Sequence, residues 1–133
     1  MKVIDASVAV RWFVQNELGR ESALTILDEI KNNPAGFAVP DFFFLEMANV
    51  LSRLARSSED LKAYIRGLFD LGFVQVRLGS RLLARAAEIA FKYKVSGYDA
   101  LYVAVAESLE GKWITGDEKA HAKLKSMNHS VLV

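Results

Sequence analysis

Lys2-Val3-Ile4-Asp5-Ala6-Ser7 is the stretch that most limits what this chain can become. Val3 and Ile4 are β-branched and apolar, with no polar residue alternating between them. A short strand of that kind belongs inside a parallel sheet, covered on both faces. The run stops on an acid, a small residue and a hydroxyl. In open α/β sheets, ligands bind just beyond the C-terminal ends of such strands. Asp5 therefore stands where chemistry is usually done.

Similar short apolar runs recur at Phe37-Ala38-Val39, Phe73 to Val76, Trp113-Ile114-Thr115 and Ser130 to Val133. Helical spacing fills the stretches between them. Helices are expected from Ser7 to about Gln15, capped by Asp5 or Ser7, and from Arg20 to Lys31, with Ala23, Leu27 and Ile30 on one face. Asn16 to Gly19 breaks the chain between these two. Further helices are expected from Phe42 to Arg56 behind an Asp41 cap, and from Ser57-Ser58 to Leu71. Others follow from Arg81 to Tyr93, from Tyr98 to Glu110, and from Glu118 to Ser126. The helix after Tyr98 is apolar on most sides and must be covered on most sides. Strands alternating with helices predict an α/β fold with a mainly parallel sheet.

With 133 residues, 52% of them apolar, residues 1–133 are expected to form a single domain with a real core. No apolar run approaches the ~20 residues of a membrane span, and no signal-peptide pattern opens the chain. The chain has no cysteine, so disulfides and thiolate zinc sites are excluded. These features fit a cytoplasmic location without a membrane contact. The net charge of +1 gives no general attraction to nucleic acid, so such a contact needs a local basic patch.

Four acids carry the chemistry. Asp5 ends the first strand and Asp117 follows the fourth, so parallel strands would put both on one sheet edge. Either could equally serve as a helix cap. Glu46 lies inside the apolar run Phe42 to Leu51, with Asn49 three residues on and on the same face. That face could be solvated, or it could line a cleft; Phe43, Met47, Val50 and Leu54 form the opposite, core stripe. Asp99 opens the apolar helix, where an acid also suits the helix dipole. Two carboxylates ~4 Å apart repel by ~4 kcal/mol at an effective dielectric of ~20. If the acids converge, a cluster of three or four calls for a cation, and hard oxygen donors point to Mg²⁺ or Mn²⁺. Ser7 and Thr115 flank the site as hydroxyls. His121 and His129 are read as surface residues.

The ordered set Val3-Ile4-Asp5-Ala6-Ser7, Glu46-x-x-Asn49-x-Leu51, Tyr98-Asp99-Ala100-Leu101-Tyr102-x-Ala104-x-Ala106-Glu107 and Ile114-Thr115-Gly116-Asp117 resembles the PIN-domain family. More narrowly it resembles the VapC-type toxin ribonucleases, over essentially the whole chain. The resemblance implies a three-layer α/β/α, Rossmann-like fold and a metal-dependent endoribonuclease. It implies an acidic quartet of Asp5, Glu46, Asp99 and Asp117 that is both catalytic and metal-binding. Ser7, Asn49 and Thr115 would be supporting polar residues. Glu118 directly follows Asp117, so one or two ions remain possible. The resemblance also implies a cognate VapB-type antitoxin and a homodimer.

Hydrolysis by a metal-activated water would leave a 5′-phosphate and a 3′-hydroxyl. Arg11, Arg53, Lys92 and Lys94 are candidate RNA contacts, with Trp12 or Tyr98 as stacking surfaces. The aromatic run Phe42 to Phe44 is core or, in part, a dimer or antitoxin surface. The rival readings are a non-catalytic PIN-scaffold binding module and a haloacid-dehalogenase-like phosphatase. The phosphatase normally has a second Asp two residues after the first, where this chain has Ser7.

Overall fold

The computed structural model describes residues 1–15 and 18–133. Five strands form one sheet: β1 (Lys2–Ile4), β2 (Phe37–Pro40), β3 (Val74–Val76), β4 (Lys112–Thr115) and β5 (Ser130–Leu132). Their order is β3-β2-β1-β4-β5, and every pairing is parallel. The connection leaves β1 toward β2 and β3, then returns to place β4 on the other side of β1. That reversal opens a crevice at the C-terminal ends of β1 and β4.

Alternate strand residues feed two cores. Ile4, Val39 and Ile114 face the layer made by α1 (Ala6–Ala9), α2 (Arg20–Asn32), α3 (Phe42–Leu54) and α4 (Ser58–Asp70). Val3, Ala38 and Trp113 face α5 (Ser80–Tyr93), α6 (Gly97–Ser108) and α7 (Glu118–Leu124). The result is the three-layer α/β/α sandwich expected of the chain. Ala100 to Ala106 are buried without interruption, so α6 is covered all round, as its composition requires. Among the described residues no helix is long and apolar enough to cross a membrane.

Several local expectations are corrected. The first helix does not reach Gln15: α1 covers four residues and passes into a 3₁₀ turn at Val10–Trp12. Asn16 and Glu17 of the expected break lie outside the described residues, and Gly19 enters α2 at φ +79°. Asp41 does not cap α3; its own backbone is helical and its side chain makes no cap bond. The third strand starts at Val74, because Phe73 turns into the core. On α2 it is Ile26, with Ala23 and Ile30, that is buried, while Leu27 is only half-buried. The buried stripe of α3 is Phe43, Phe44, Met47 and Leu51; Val50 is half-buried and Leu54 is 49% exposed. The cause is α4, which packs across α3 and stacks Phe69 on Phe44 at 3.8 Å between centroids. The histidines are half-buried, with His121 Nδ1 bonded to Ser130 Oγ and His129 Nδ1 to the Gly111 carbonyl.

Gly111 is the tightest backbone approach in the sheet. It is buried between α6 and β4, and a Cβ there would run into the Met1 carbonyl. That carbonyl accepts the Lys112 N–H at 3.0 Å and starts the β1–β4 ladder. Gly111→Ala is expected to destabilise the fold by ~1–3 kcal/mol, because the neighbouring atom is backbone. Gly67→Ala, in the exposed part of α4 with open space around it, is expected to stabilise by ~0.5–1 kcal/mol. Urea midpoints of the two variants check both signs together.

Candidate active site

Asp5 leaves β1 as the N-cap of α1 and is 5% exposed. Its Oδ1 accepts from Ser7 N at 3.0 Å, Ser7 Oγ at 2.5 Å and Val8 N at 3.3 Å. Its Oδ2 accepts from the Trp113 indole Nε1–H at 2.9 Å. Burial pushes the Asp5 carboxyl above the usual range, against the pull of these donors.

Ser7 and Thr115 join the two loops that carry the strand-end acids. Ser7 Oγ lies 3.3 Å from Thr115 Oγ1 and accepts the Gly116 N–H at 2.8 Å. Thr115 Oγ1 in turn accepts the Asp117 N–H at 3.1 Å. Asp117 Oδ1 caps α7 through Ala120 N at 3.0 Å. So the loop after β4 is held against the loop after β1 by two hydroxyls. Asn49, one turn beyond Glu46, is exposed.

Glu46 comes from the middle of α3 and is half-buried. The Tyr102 hydroxyl of α6 donates to its Oε1 at 2.8 Å. Burial raises its proton affinity most, and the charges of Asp5 and Asp99 raise it further, while the Tyr102 bond lowers it. Asp99 sits in the first turn of α6, where Ser96 Oγ caps its N–H at 3.1 Å. Its carboxyl is raised first by burial, then by the charges of Asp117 and Asp5. The four acids thus come from β1, α3, α6 and the end of β4 and act on one another electrostatically. Among the described residues, no three of them stand close enough to grip one ion directly.

Sequence reasoning missed Trp113 and Tyr102. Both are fully buried, and their rings stack at 6.4 Å and 13°. Each spends its polar hydrogen on a different acid of the cluster. The signal was present: a Trp in a buried strand and a Tyr in an apolar helix each need an acceptor. Burial and the Glu46 charge push the Tyr102 phenol up, so it stays a donor.

The candidate RNA contacts divide. Arg11 is half-buried, with its guanidinium on the carbonyls of Gly19 (3.5 Å) and Val133 (3.2 Å). It lines a cleft of about 740 Å³ beside Asp117. Lys94 lines a second cleft, of about 180 Å³, with Asp99 and Asp117. Arg53 and Lys92 are exposed, and the Lys92 ammonium lies over the Tyr93 ring. Trp12 donates its indole N–H to the Ala23 carbonyl at 2.8 Å and packs on the α2 side of the core. Tyr98 is 62% exposed next to Asp99 and stacks on Phe42 at 5.0 Å and 5°.

Known proteins share this architecture. PAE2754 from Pyrobaculum aerophilum is 23% identical over 99% of this chain and 88% of its own, with a TM-score of 0.72. A toxin–antitoxin complex from Klebsiella pneumoniae contains a chain 14% identical over 98% of this chain and 96% of its own, with a TM-score of 0.72. VapC20 from Mycobacterium tuberculosis, described as a sarcin-ricin loop cleaving toxin, is 13% identical over 92% and 94%, with a TM-score of 0.73. At these identities the likeness is one of fold. No curated protein matches the chain in sequence. The family model of the PIN domain matches residues 2–125, nearly the full length, and the chain belongs to the PIN domain family.

Proposed function

We propose that the protein is a metal-dependent endoribonuclease, the VapC-like toxin of a toxin–antitoxin pair. One observation carries this reading: the indole that holds Asp5 stacks on the phenol that holds Glu46, and Asp99 and Asp117 line one cleft, at the sheet edge where β1 and β4 end. A cluster of this kind costs stability by itself, and a cation offsets that cost.

The donor set fits Mg²⁺ or Mn²⁺. Every donor is a carboxylate oxygen, which suits hard ions. Mg²⁺ keeps several of its waters and is often held by one or two carboxylates. Asp99 and Asp117, which share a cleft, would hold it, and Asp5 and Glu46 would add charge from the buried side. When bound, such an ion lowers the pKa of a water and screens phosphate charge. Glu46 then has a defined task. Tyr102 fixes its Oε1, and its raised proton affinity suits Oε2 to take the proton of the attacking water.

The partners in this reading are an RNA substrate, a VapB-type antitoxin and a second copy of the chain, in the cytoplasm. A toxin–antitoxin complex and a VapC toxin among the structures of like fold support the antitoxin and the RNA. A second reading, a PIN scaffold that binds without cutting, is favoured by one observation: both oxygens of Asp5 are already bonded within the protein.

The test is cleavage of a mixed RNA panel with Mn²⁺, with Mg²⁺ and with EDTA. The nuclease reading expects cleavage with a divalent ion alone, products with 5′-phosphates, and a higher melting temperature with the ion. A 2′,3′-cyclic phosphate, or cleavage undiminished in EDTA, would sink it. RNA binding and metal stabilisation without cleavage would favour the scaffold.

A further inference from the structure

Asp117 stands between two clefts, and Lys119 lines both of them. The larger cleft has Arg11 on its far wall, with the guanidinium wedged against Gly19 and Gly116. Those glycines leave it room, since a Cβ at either would collide with it. The smaller cleft runs between α7 and the start of α6. Lys94, Lys119 and Lys123 line it together with Asp99 and Asp117, and the Lys94 ammonium lies over the Phe91 ring at 4.8 Å. Lys119 and Lys123 are one helical turn apart and share a face of α7. Lys123 Nζ donates to the Lys94 carbonyl at 2.9 Å, which ties α7 to the left-handed C-cap of α5. Among the described residues none of the three lysines forms an ion pair.

Four acids repel a polyanion, and a net charge of +1 does little to draw one in. A nuclease site of this kind needs fixed cations within reach of the acids, placed so that they do not neutralise them. Lys119 meets that need: it lines the same cleft as Asp99 and Asp117, with Lys94 and Lys123 beside it, and continues into the cleft of Arg11. We propose that the two clefts are consecutive phosphate subsites of one single-stranded RNA track that crosses Asp117. In this track Lys119 is the shared contact, Lys94 and Lys123 hold the phosphate on one side, and Arg11 holds it on the other. The proposal deepens the ribonuclease reading and rests on it for the substrate class. Lys119 and Lys123 escaped the sequence reading because their place beside the acids depends on how α7 docks.

The experiment uses the whole chain carrying Asp99→Asn, with Mg²⁺ and a fluorescent single-stranded RNA. Anisotropy gives Kd across a series of salt concentrations. Adding Lys119→Ala is expected to weaken binding and to reduce the slope of log Kd against log salt by about 0.7, the value for one lost phosphate contact on a single strand. Lys119→Arg should restore the slope. Lys62→Ala, on α4 beside Glu59, should leave it unchanged. A Lys119→Ala slope equal to that of Lys62→Ala overturns the track and leaves the nuclease reading standing. A reduced slope, together with a wild-type chain (Asp99 intact) that cuts no RNA with either divalent ion, supports the track and removes the nuclease reading. Failure of the parent to bind RNA at all overturns the track.

Discussion

Replacing Asp99 with asparagine is expected to lower RNA cleavage by at least about 100-fold, the scale on which losses around metal sites are felt, while the fold becomes no less stable. The two effects have one cause. Burial and the charges of Asp117 and Asp5 raise the proton affinity of Asp99 in the folded protein. An acid whose folded pKa is raised binds protons more readily folded than unfolded. Its ionised form therefore costs stability, and the cost grows as pH rises from the unfolded value through the folded one. Asparagine removes that cost, so Asp99→Asn should gain on wild type in urea at neutral pH. The gain should disappear below the unfolded pKa of the carboxyl. Single-turnover cleavage with Mn²⁺, beside urea titrations at two pH values, reads both effects. A variant that cuts normally would remove Asp99 from the machinery. Asp5→Asn is a poorer choice although it matches the shape equally well. The new amide NH₂ would face either the Trp113 indole N–H or the N–H groups of Ser7 and Val8, and all of these are donors.

Trp113→Phe is expected to give the largest loss of stability from a change that keeps an aromatic ring. The indole is fully buried, and Asp5 Oδ2 has it as a donor at 2.9 Å. Phenylalanine preserves the stack on Tyr102 but leaves that oxygen without its donor. An orphaned buried acceptor costs ~1–3 kcal/mol. The lost ring volume adds ~1 kcal/mol by the logic of cavity-forming substitutions. A total near ~3 kcal/mol corresponds to roughly 10 °C in melting temperature for a chain of this size. The deficit should depend on pH with a definite sign. Asp5 already has a raised folded pKa, and losing a donor raises it further. The deficit is therefore greatest above the folded pKa and shrinks as pH falls below it; under the unfolded value the carboxyl is neutral in both states. Denaturation at neutral and at acid pH measures it. A deficit that does not change with pH would mean that the cost is all cavity.

How far the sequence discloses this protein can be judged residue by residue. Val3-Ile4, Phe37 to Val39 and Trp113-Ile114 are continuous apolar runs, and continuity is what a strand needs when both faces are covered. The parallel sheet, and the shared edge for Asp5 and Asp117, followed from those runs. The all-round burial of α6 was likewise written in Ala100 to Ala106. Features that depend on docking were hidden. Leu54 matches the spacing of the α3 stripe, yet α4 covers Phe44 and leaves Leu54 half in water. Asp41 has the residue type of a cap but takes a helical backbone itself. The partners of the acids were hidden for the same reason. Tyr102 meets Glu46 across 56 residues and Trp113 meets Asp5 across 108. Local pattern carries no information about such pairings.

The central place of β1 also sets an order of events while the chain is being made. β1 leaves the ribosome first, but its partner β4 and the donor for Asp5 arrive 108 residues later. Until then Asp5 lacks the Trp113 donor, and the pocket lacks Asp117. Closing a loop of that length is slow compared with forming the local helices. Every N-terminal fragment that stops short of β4 is therefore without the crevice, however well its helices form. The crevice exists only once the strand from the far end of the chain has paired with the first.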